Sequence, residues 1–368
     1  MTLIQQLVLD RLSPYNVKLS AYDNAKYVLQ KDFQLIVDLP TNRLCPRIPN
    51  RLYYIIWLNH ILDDSSIVLD VGTGASAIYP LLGCKVNSSM KFVGTDIDPE
   101  SIEIAVKNVV QNSLQDRIHL MLTRDTDPLI PHKVDAVICN PPFYDSLDSM
   151  KFQSNQKLQT PHDQLFASKN ELITTGGELG FINRLVSESL KWTTEISWYT
   201  TLCGHKSTAY NLIEYLKSIG LNNIAITTIH FPSYRYKTKR WIIGWSFRDK
   251  RLPVHLSHDV QGSLSRLLPK NQLCIDKVIS PGDLVKSCFH NVNNLNLLVN
   301  EDTIFVSAPG PVWNRAYRRN KILPMPENFE ASISCTSHSV VIDWQRGSSY
   351  KTFESLYTFV QRSLRGYS

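Results

Sequence analysis

Ser66-Ile67-Val68-Leu69-Asp70-Val71-Gly72-Thr73-Gly74-Ala75-Ser76-Ala77 decides the fold. Its first half is an apolar run of strand length. Its second half is a glycine turn passing into the helix-like Ala77-Ile78-Tyr79-Pro80-Leu81-Leu82. Glycines at such a turn let the chain bend tightly and let a ligand approach the backbone closely. One strand further on, Lys91-Phe92-Val93-Gly94-Thr95-Asp96 sets a carboxylate 22 residues beyond Gly74, where a strand end presents it to ribose hydroxyls. Gly72-x-Gly74-x-x-Ala77 also fits a dinucleotide fingerprint, so a nicotinamide enzyme would share this much.

A second stretch separates the readings. Val134-Asp135-Ala136-Val137-Ile138-Cys139 reads as a buried strand, and Asn140-Pro141-Pro142-Phe143 follows at its carboxyl end. Two prolines stiffen that turn, Asn140 offers a side-chain acceptor and Phe143 a flat face for stacking. Such a set can hold an exocyclic amino group by its hydrogens and sandwich the ring that carries it. A stiff loop with a capping Asn and a core Phe is the plainer alternative for these four residues alone. In order with the glycine turn, they point to S-adenosylmethionine as cofactor, with Asn140, Pro141, Pro142 and Phe143 catalytic and Asp70, Thr73 and Gly74 among the cofactor contacts.

The 70 residues from Asp70 to Asn140 hold three βα units. Residues 101–112 are expected as a helix with Ile102, Ala105, Val106 and Val109 on its inner face, and residues 118–122 as the third strand. Strands are further expected at 197–202, 223–229 and 241–247, with helices from Gly176-Gly177-Glu178 to Leu190 and over 207–219. The fold class is therefore α/β, a doubly wound Rossmann-like class I methyltransferase sheet with an antiparallel edge and a small C-terminal α+β module. Residues 1–65 form an N-terminal segment expected to cover the cofactor and bind RNA, 66–250 the methyltransferase domain, and 251–368 an RNA-binding module. In the first segment, 21–31 and 52–62 read as helices and 33–38 as a short strand or extended run.

Three places are candidates for RNA. Residues 40–51 make a basic, proline-punctuated loop whose Arg43, Arg47 and Arg51 would meet phosphates or the carboxylate of the cofactor's methionine moiety. Tyr234-Arg235-Tyr236-Lys237-Thr238-Lys239-Arg240 interleaves cations and rings, as a looped nucleic acid requires, although a gatekeeping polar hairpin has the same composition. Arg315, Arg318, Arg319 and Lys321 cluster near Trp313 and Tyr317 and make a second patch, or a solvated turn. The polar stretch 144–170 beside the reaction centre is read as a lid.

Composition bounds the rest. At 368 residues two domains are expected, and a formal net charge of +6 is compatible with an anionic partner without requiring one. Seven scattered cysteines without a C-x-x-C pair predict neither a disulfide framework nor structural zinc, and a reducing compartment, cytosol or nucleus. No metal site is expected. No apolar run reaches the roughly 18 to 20 residues of a membrane span, and residues 1–12 lack a signal peptide's features.

With these residues in view, the chain resembles the methyltransferase-like protein sixteen family, the N6-adenosine methyltransferases of U6 small nuclear RNA, related to bacterial 23S ribosomal RNA adenine-N6 methyltransferases. The resemblance runs from about residue 29 to 249. It is carried by 38–40 through 51–54, by Asp70-Val71-Gly72-Thr73-Gly74-Ala75-Ser76-Ala77-Ile78-Tyr79-Pro80-Leu81-Leu82-Gly83, by Asn140-Pro141-Pro142-Phe143, by Gly176-Gly177-Glu178 and by Arg240-Trp241. It implies that Arg43, Gly72, Asp96 and Asn140 bind the cofactor or border its pocket, that U6 RNA is the partner and that the nucleus is the compartment. Asp96 stands where the family often has Glu, and Arg124-Asp125-Thr126 departs from its basic loop. The expected chemistry is in-line attack of a flipped-out adenine N6 on the cofactor's methyl group. Rival readings are a protein glutamine N5-methyltransferase, a DNA adenine methylase and a non-catalytic RNA-binding protein.

Overall fold

The computed structural model describes residues 2–13, 19–142, 174, 176–231, 239–259, 262–320 and 327–365. They form two compact units, Met1–Phe247 and Arg248–Ser368.

In the first unit α1 (Leu3–Leu9), α2 (Ala21–Phe33) and α3 (Ile48–Ile61) precede β1 (Ile67–Val71), α4 (Ile78–Val86), β2 (Lys91–Asp96), α5 (Pro99–Gln111), β3 (Ile118–Leu122) and β4 (Ala136–Cys139). Then follow α6 (Gly177–Trp192), β5 (Trp198–Cys203), α7 (Lys206–Ser218), β6 (Ile224–Ile229) and β7 (Arg240–Trp245). The strands make one seven-stranded sheet in the order β3-β2-β1-β4-β5-β7-β6, parallel except for β7. β4 and β5 are buried along their whole length, which explains why they read as unbroken apolar runs rather than alternating ones. The doubly wound sheet with an antiparallel edge is as the sequence predicts.

Two local readings are corrected. α3 begins at Ile48 rather than Leu52, because Pro49 occupies the first helical turn, where its missing N–H costs nothing. Helix α5 turns Ser101, Ala105, Asn108 and Val109 inward, and Val106 is exposed. Residues 33–38, expected as a short strand or an extended run, follow the second alternative from Leu35: residues 35–39 lie outside any sheet and along α5, with Leu35, Val37 and Leu39 buried. Asn112 Oδ1 accepts from the Ile36 N–H at 2.9 Å and its Nδ2 donates to the Ile36 carbonyl at 2.6 Å. Asn108 repeats the pattern on Asp38, at 2.7 and 3.1 Å. Residues two apart on an extended chain rise by about 6.6 Å and residues four apart on a helix by about 6 Å, so two helical amides match alternate strand residues.

The second unit holds β8 (Gln272–Ile275), α8 (Pro281–Cys288), β9 (Asn296–Asn300), β10 (Thr303–Ala308), α9 (Arg315–Asn320), β11 (Phe329–Cys335), β12 (Val340–Arg346) and α10 (Tyr350–Arg365). Its strands pair antiparallel in the order β8-β12-β11-β10-β9. Trp313 and Tyr317, beside the second basic patch in sequence, are core residues: Trp313 packs edge-on to Phe329 at 5.4 Å and donates its indole N–H to Ser355. Near the unit's start, the buried Arg251 guanidinium sits 3.6 Å from the Trp344 ring centroid and donates to the Gly347 carbonyl at 2.8 Å.

Gly83 in α4 is where helix and sheet come closest, since a Cβ there would collide with the Phe92 ring on β2. Gly83→Ala is therefore expected to destabilise the first unit by about 1–3 kcal/mol, the usual cost of overpacking, in chemical denaturation.

Candidate active site

The strand order changes direction at β1, which has β2 on one side and β4 on the other. In open α/β sheets a crevice opens at that point, beyond the carboxyl ends of the strands. Val71 pairs with Cys139, so the next residues, Gly72 and Asn140, leave adjacent strand ends side by side. Seventy residues of chain thus bring the glycine turn and the Asn-Pro-Pro segment to one place.

The glycine turn is shaped by positive φ at Gly72 (75°), Gly74 (65°) and Ala77 (46°). It is fastened to β2: the Gly72 and Thr73 N–H groups donate to the Thr95 carbonyl at 2.9 Å each, and the Gly74 N–H donates to Asp96 Oδ2 at 2.9 Å. The other Asp96 oxygen accepts from the Asp98 N–H at 3.0 Å. Asp96 therefore braces the turn and keeps only its remaining lone pairs for a ligand hydroxyl. Burial raises its pKa, against those backbone donors. A Cβ on Gly72 would meet nothing within 4 Å, so open space borders the turn.

Polar groups without partners concentrate here. Asp70 is fully buried, and neither of its oxygens, nor the Thr73 hydroxyl, nor Asn140 Oδ1, has a hydrogen-bond partner. Burial pushes the Asp70 carboxyl up to about 7, although the Thr73 hydroxyl and the Arg51 charge pull the other way. Arg51 is only 8% exposed; one guanidinium nitrogen donates to the Tyr79 hydroxyl at 2.8 Å and Nε has no partner. That placement corrects its reading as an RNA contact: starting α3 at Ile48 puts Arg51 in the first helical turn, facing inward.

A cleft open to solvent is lined by Pro40, Arg43, Arg51, Thr73, Gly74 and Asn140 among others. Arg43 is buried at its rim and pairs with Asp98 and, at 2.5 Å, with Glu100 at the start of α5. Of the catalytic candidates, Pro141 is buried and Pro142 half-buried next to Asn140, while Phe143 and the 144–170 stretch lie outside the described residues.

The predicted RNA contacts are spread more widely. Arg47 is half-buried at the amino end of α3, Lys239 is exposed, and Arg240 reaches the Gly204 carbonyl, just past β5, at 3.3 Å. Arg315 and Arg319 are exposed on α9 in the second unit, with Arg318 on the same helix. Arg235, Tyr236, Lys237 and Lys321 lie outside the described residues. Among the described residues, no three His, Cys, Asp or Glu side chains are grouped to hold a metal, and no helix is long and apolar enough to cross a membrane.

Glu178 carries no functional expectation from the sequence. It is buried at the start of α6, accepts the Gly204 N–H and lies 3.2 Å from His205 Nδ1, tying that helix to the end of β5. Asn108 was missed altogether; its signal was the Asn108-x-x-x-Asn112 spacing on an otherwise amphipathic helix.

A family model described as RNA methyltransferase matches residues 2–249. The U6 small nuclear RNA (adenine-(43)-N(6))-methyltransferase of Schizosaccharomyces pombe is 33% identical over 365 residues, covering 92% of each chain. The RNA N(6)-adenosine-methyltransferase mettl16 of Xenopus laevis is 33% identical over 80% of this chain, which spans 60% of that protein. Among solved structures, the human Mettl16 catalytic domain in complex with the MAT2A 3'UTR hairpin 1 is similar with TM-score 0.57 and 29% identity, over 66% of this chain and 88% of that one. The N-terminal domain of human METTL16 in complex with SAH, the demethylated form of S-adenosylmethionine, follows at TM-score 0.51 and 28% identity, over 66% and 90%. Sheet, cleft and these likenesses agree, and the chain belongs to the RNA methyltransferase family.

Proposed function

We propose that this chain methylates N6 of an adenosine in a structured RNA, with U6 small nuclear RNA as the substrate and the nucleus as its place of work. The observation that carries the reading is the partnerless Asn140 Oδ1 at the end of β4, in the same cleft as the glycine turn. A buried amide oxygen without a donor costs about 1–3 kcal/mol, and an exocyclic amine supplies that donor.

The cleft fits S-adenosylmethionine. Of the residues lining it, Arg43 and Arg51 suit its carboxylate; on the strands beside the glycine turn, the two bare oxygens of Asp70 suit its ammonium and Asp96 suits its ribose hydroxyls. Gly72, Thr73 and Gly74 give it a wall without bulk. When bound, the cofactor supplies a methyl group on a positively charged sulfur. Asn140 Oδ1 and the Pro141 carbonyl each accept one N6 hydrogen, which aims the nitrogen lone pair along the line of attack. Phe143 stacks on the base. The nitrogen proton turns acidic as the new bond forms and leaves to water, so no dedicated base is needed. Arg47, Lys239, Arg240, Arg315, Arg318 and Arg319, with Arg235, Tyr236 and Lys237, contact RNA phosphates or bases.

Asn140→Ala is expected to lower the rate of tritiated methyl transfer to a U6 hairpin by about 100-fold or more while SAH still binds. Label appearing in protein rather than RNA would instead favour the glutamine methyltransferase.

Asp70 carries a second expectation. Its folded pKa of about 7 exceeds the ordinary 3.8, so the free protein holds a proton there and loses stability as pH rises through that window. A cationic ammonium beside it reverses the shift. SAH binding near pH 7 should therefore release a proton, seen in calorimetry as a dependence on buffer ionisation heat that Asp70→Asn abolishes. Equal heats in all buffers would contradict it.

A further inference from the structure

The groups proposed to hold the cofactor come from two parts of the chain that share no strand pairing. The glycine turn belongs to the sheet, whereas Pro40 and Arg43 follow the extended run 35–39. One side chain touches both parts. Asn108, fully buried on α5, donates through Nδ2 to the Ala75 carbonyl of the glycine turn and to the Asp38 carbonyl, at 3.1 Å each. Its Oδ1 accepts from the Asp38 N–H at 2.7 Å and from Gln111 Nε2 at 2.8 Å. All the hydrogen-bonding capacity of the amide is thus spent: two donors, two acceptor positions. Asn112, one turn later, grips Ile36 in the same manner but makes no bond to the glycine turn.

We propose that Asn108 is a positioning residue for the cofactor cleft, an amide clamp that sets the distance between the glycine turn and the run leading to Arg43. It touches no ligand and acts through Ala75 and Asp38. No other side-chain type serves. Asp lacks the two donors, Leu lacks every bond, and Gln places its amide one methylene too far from a helix already packed against the run. The neighbouring Asn112 rung holds the run on α5 without fixing the turn, so the two asparagines have separable effects. This inference rests on the reading of the cleft as the S-adenosylmethionine site.

The test is SAH affinity by calorimetry on the full chain, with the KM for a U6 hairpin as the second readout. Asn108→Ala is expected to weaken SAH about tenfold, the loss of one to two net hydrogen bonds, and to leave the KM for RNA within about twofold. Asn112→Ala is expected to change SAH affinity by less than about twofold. Equal weakening in both variants, or unchanged affinity in Asn108→Ala, overturns the clamp. Should Asn108→Ala not fold, Asp38→Pro decides, because it removes the N–H given to Asn108 at an exposed position. Unchanged SAH affinity there overturns the proposal, and a loss of about threefold or more supports it. A parent protein that binds no SAH would refute the cofactor reading itself, a different result from a parent that binds and variants that bind equally well.

Discussion

The pairing of β1 with β2 on one side and β4 on the other is the constraint on which the functional surface depends. Chains leaving parallel strands on either side of that point depart to opposite faces, so the backbone parts and leaves a crevice no side chain has to carve. Because neighbouring strands stand about 4.8 Å apart, Gly72 and Asn140 are set within reach of one small molecule by register alone. Slipping β4 by one residue would turn Asn140 to the other face and bury it under helices.

The crevice is maintained at a cost to stability. Buried polar atoms in folded proteins nearly always have partners, and here Thr73, Arg51 and Asn140, which line a single cleft, each keep one without, as does Asp70 on β1 just before the glycine turn. A fold selected for stability alone would replace Asp70 by an apolar residue of similar size. Rigid bracing offsets part of the cost: Asp96 holds the turn through the Gly74 N–H while the Asp98 N–H holds Asp96, and Arg43 is locked to the first turn of α5. Preorganised groups of this kind lose little freedom when a ligand arrives.

Much of this was legible in the sequence, and the gaps have physical causes. β1, β2 and β4 announce themselves because strands buried on both faces need unbroken apolar runs, and the Asn-Pro-Pro turn because few other structures use it. Arg51 was misplaced because Pro49 was counted as a loop residue when it was a helix opener. Asn108 is easily passed over because a polar residue in a helix is ordinarily solvated, and its spacing to Asn112 marks the helix face without saying that its neighbour is an extended chain 70 residues earlier. In the second unit, β8 is hard to read because it is only four residues long, and β9 because it is short and largely exposed, with little apolar alternation to mark it. Trp313 and Tyr317 stand beside a cluster of arginines in sequence, and the structure shows that such neighbours can point into a core while the charges point out.

The stacking of Arg251 on Trp344 bears on how the two units would respond to their medium. A guanidinium held by an indole face and a backbone carbonyl in a buried setting is barely touched by dissolved ions, because little solvent lies between the partners. Contacts between exposed arginines and a polyanion weaken steeply under the same conditions. Were a nucleic acid held by Arg315 and Arg319 as proposed, concentrated electrolyte would strip it away while the smaller unit kept its internal anchor, so grip and architecture would answer to different forces.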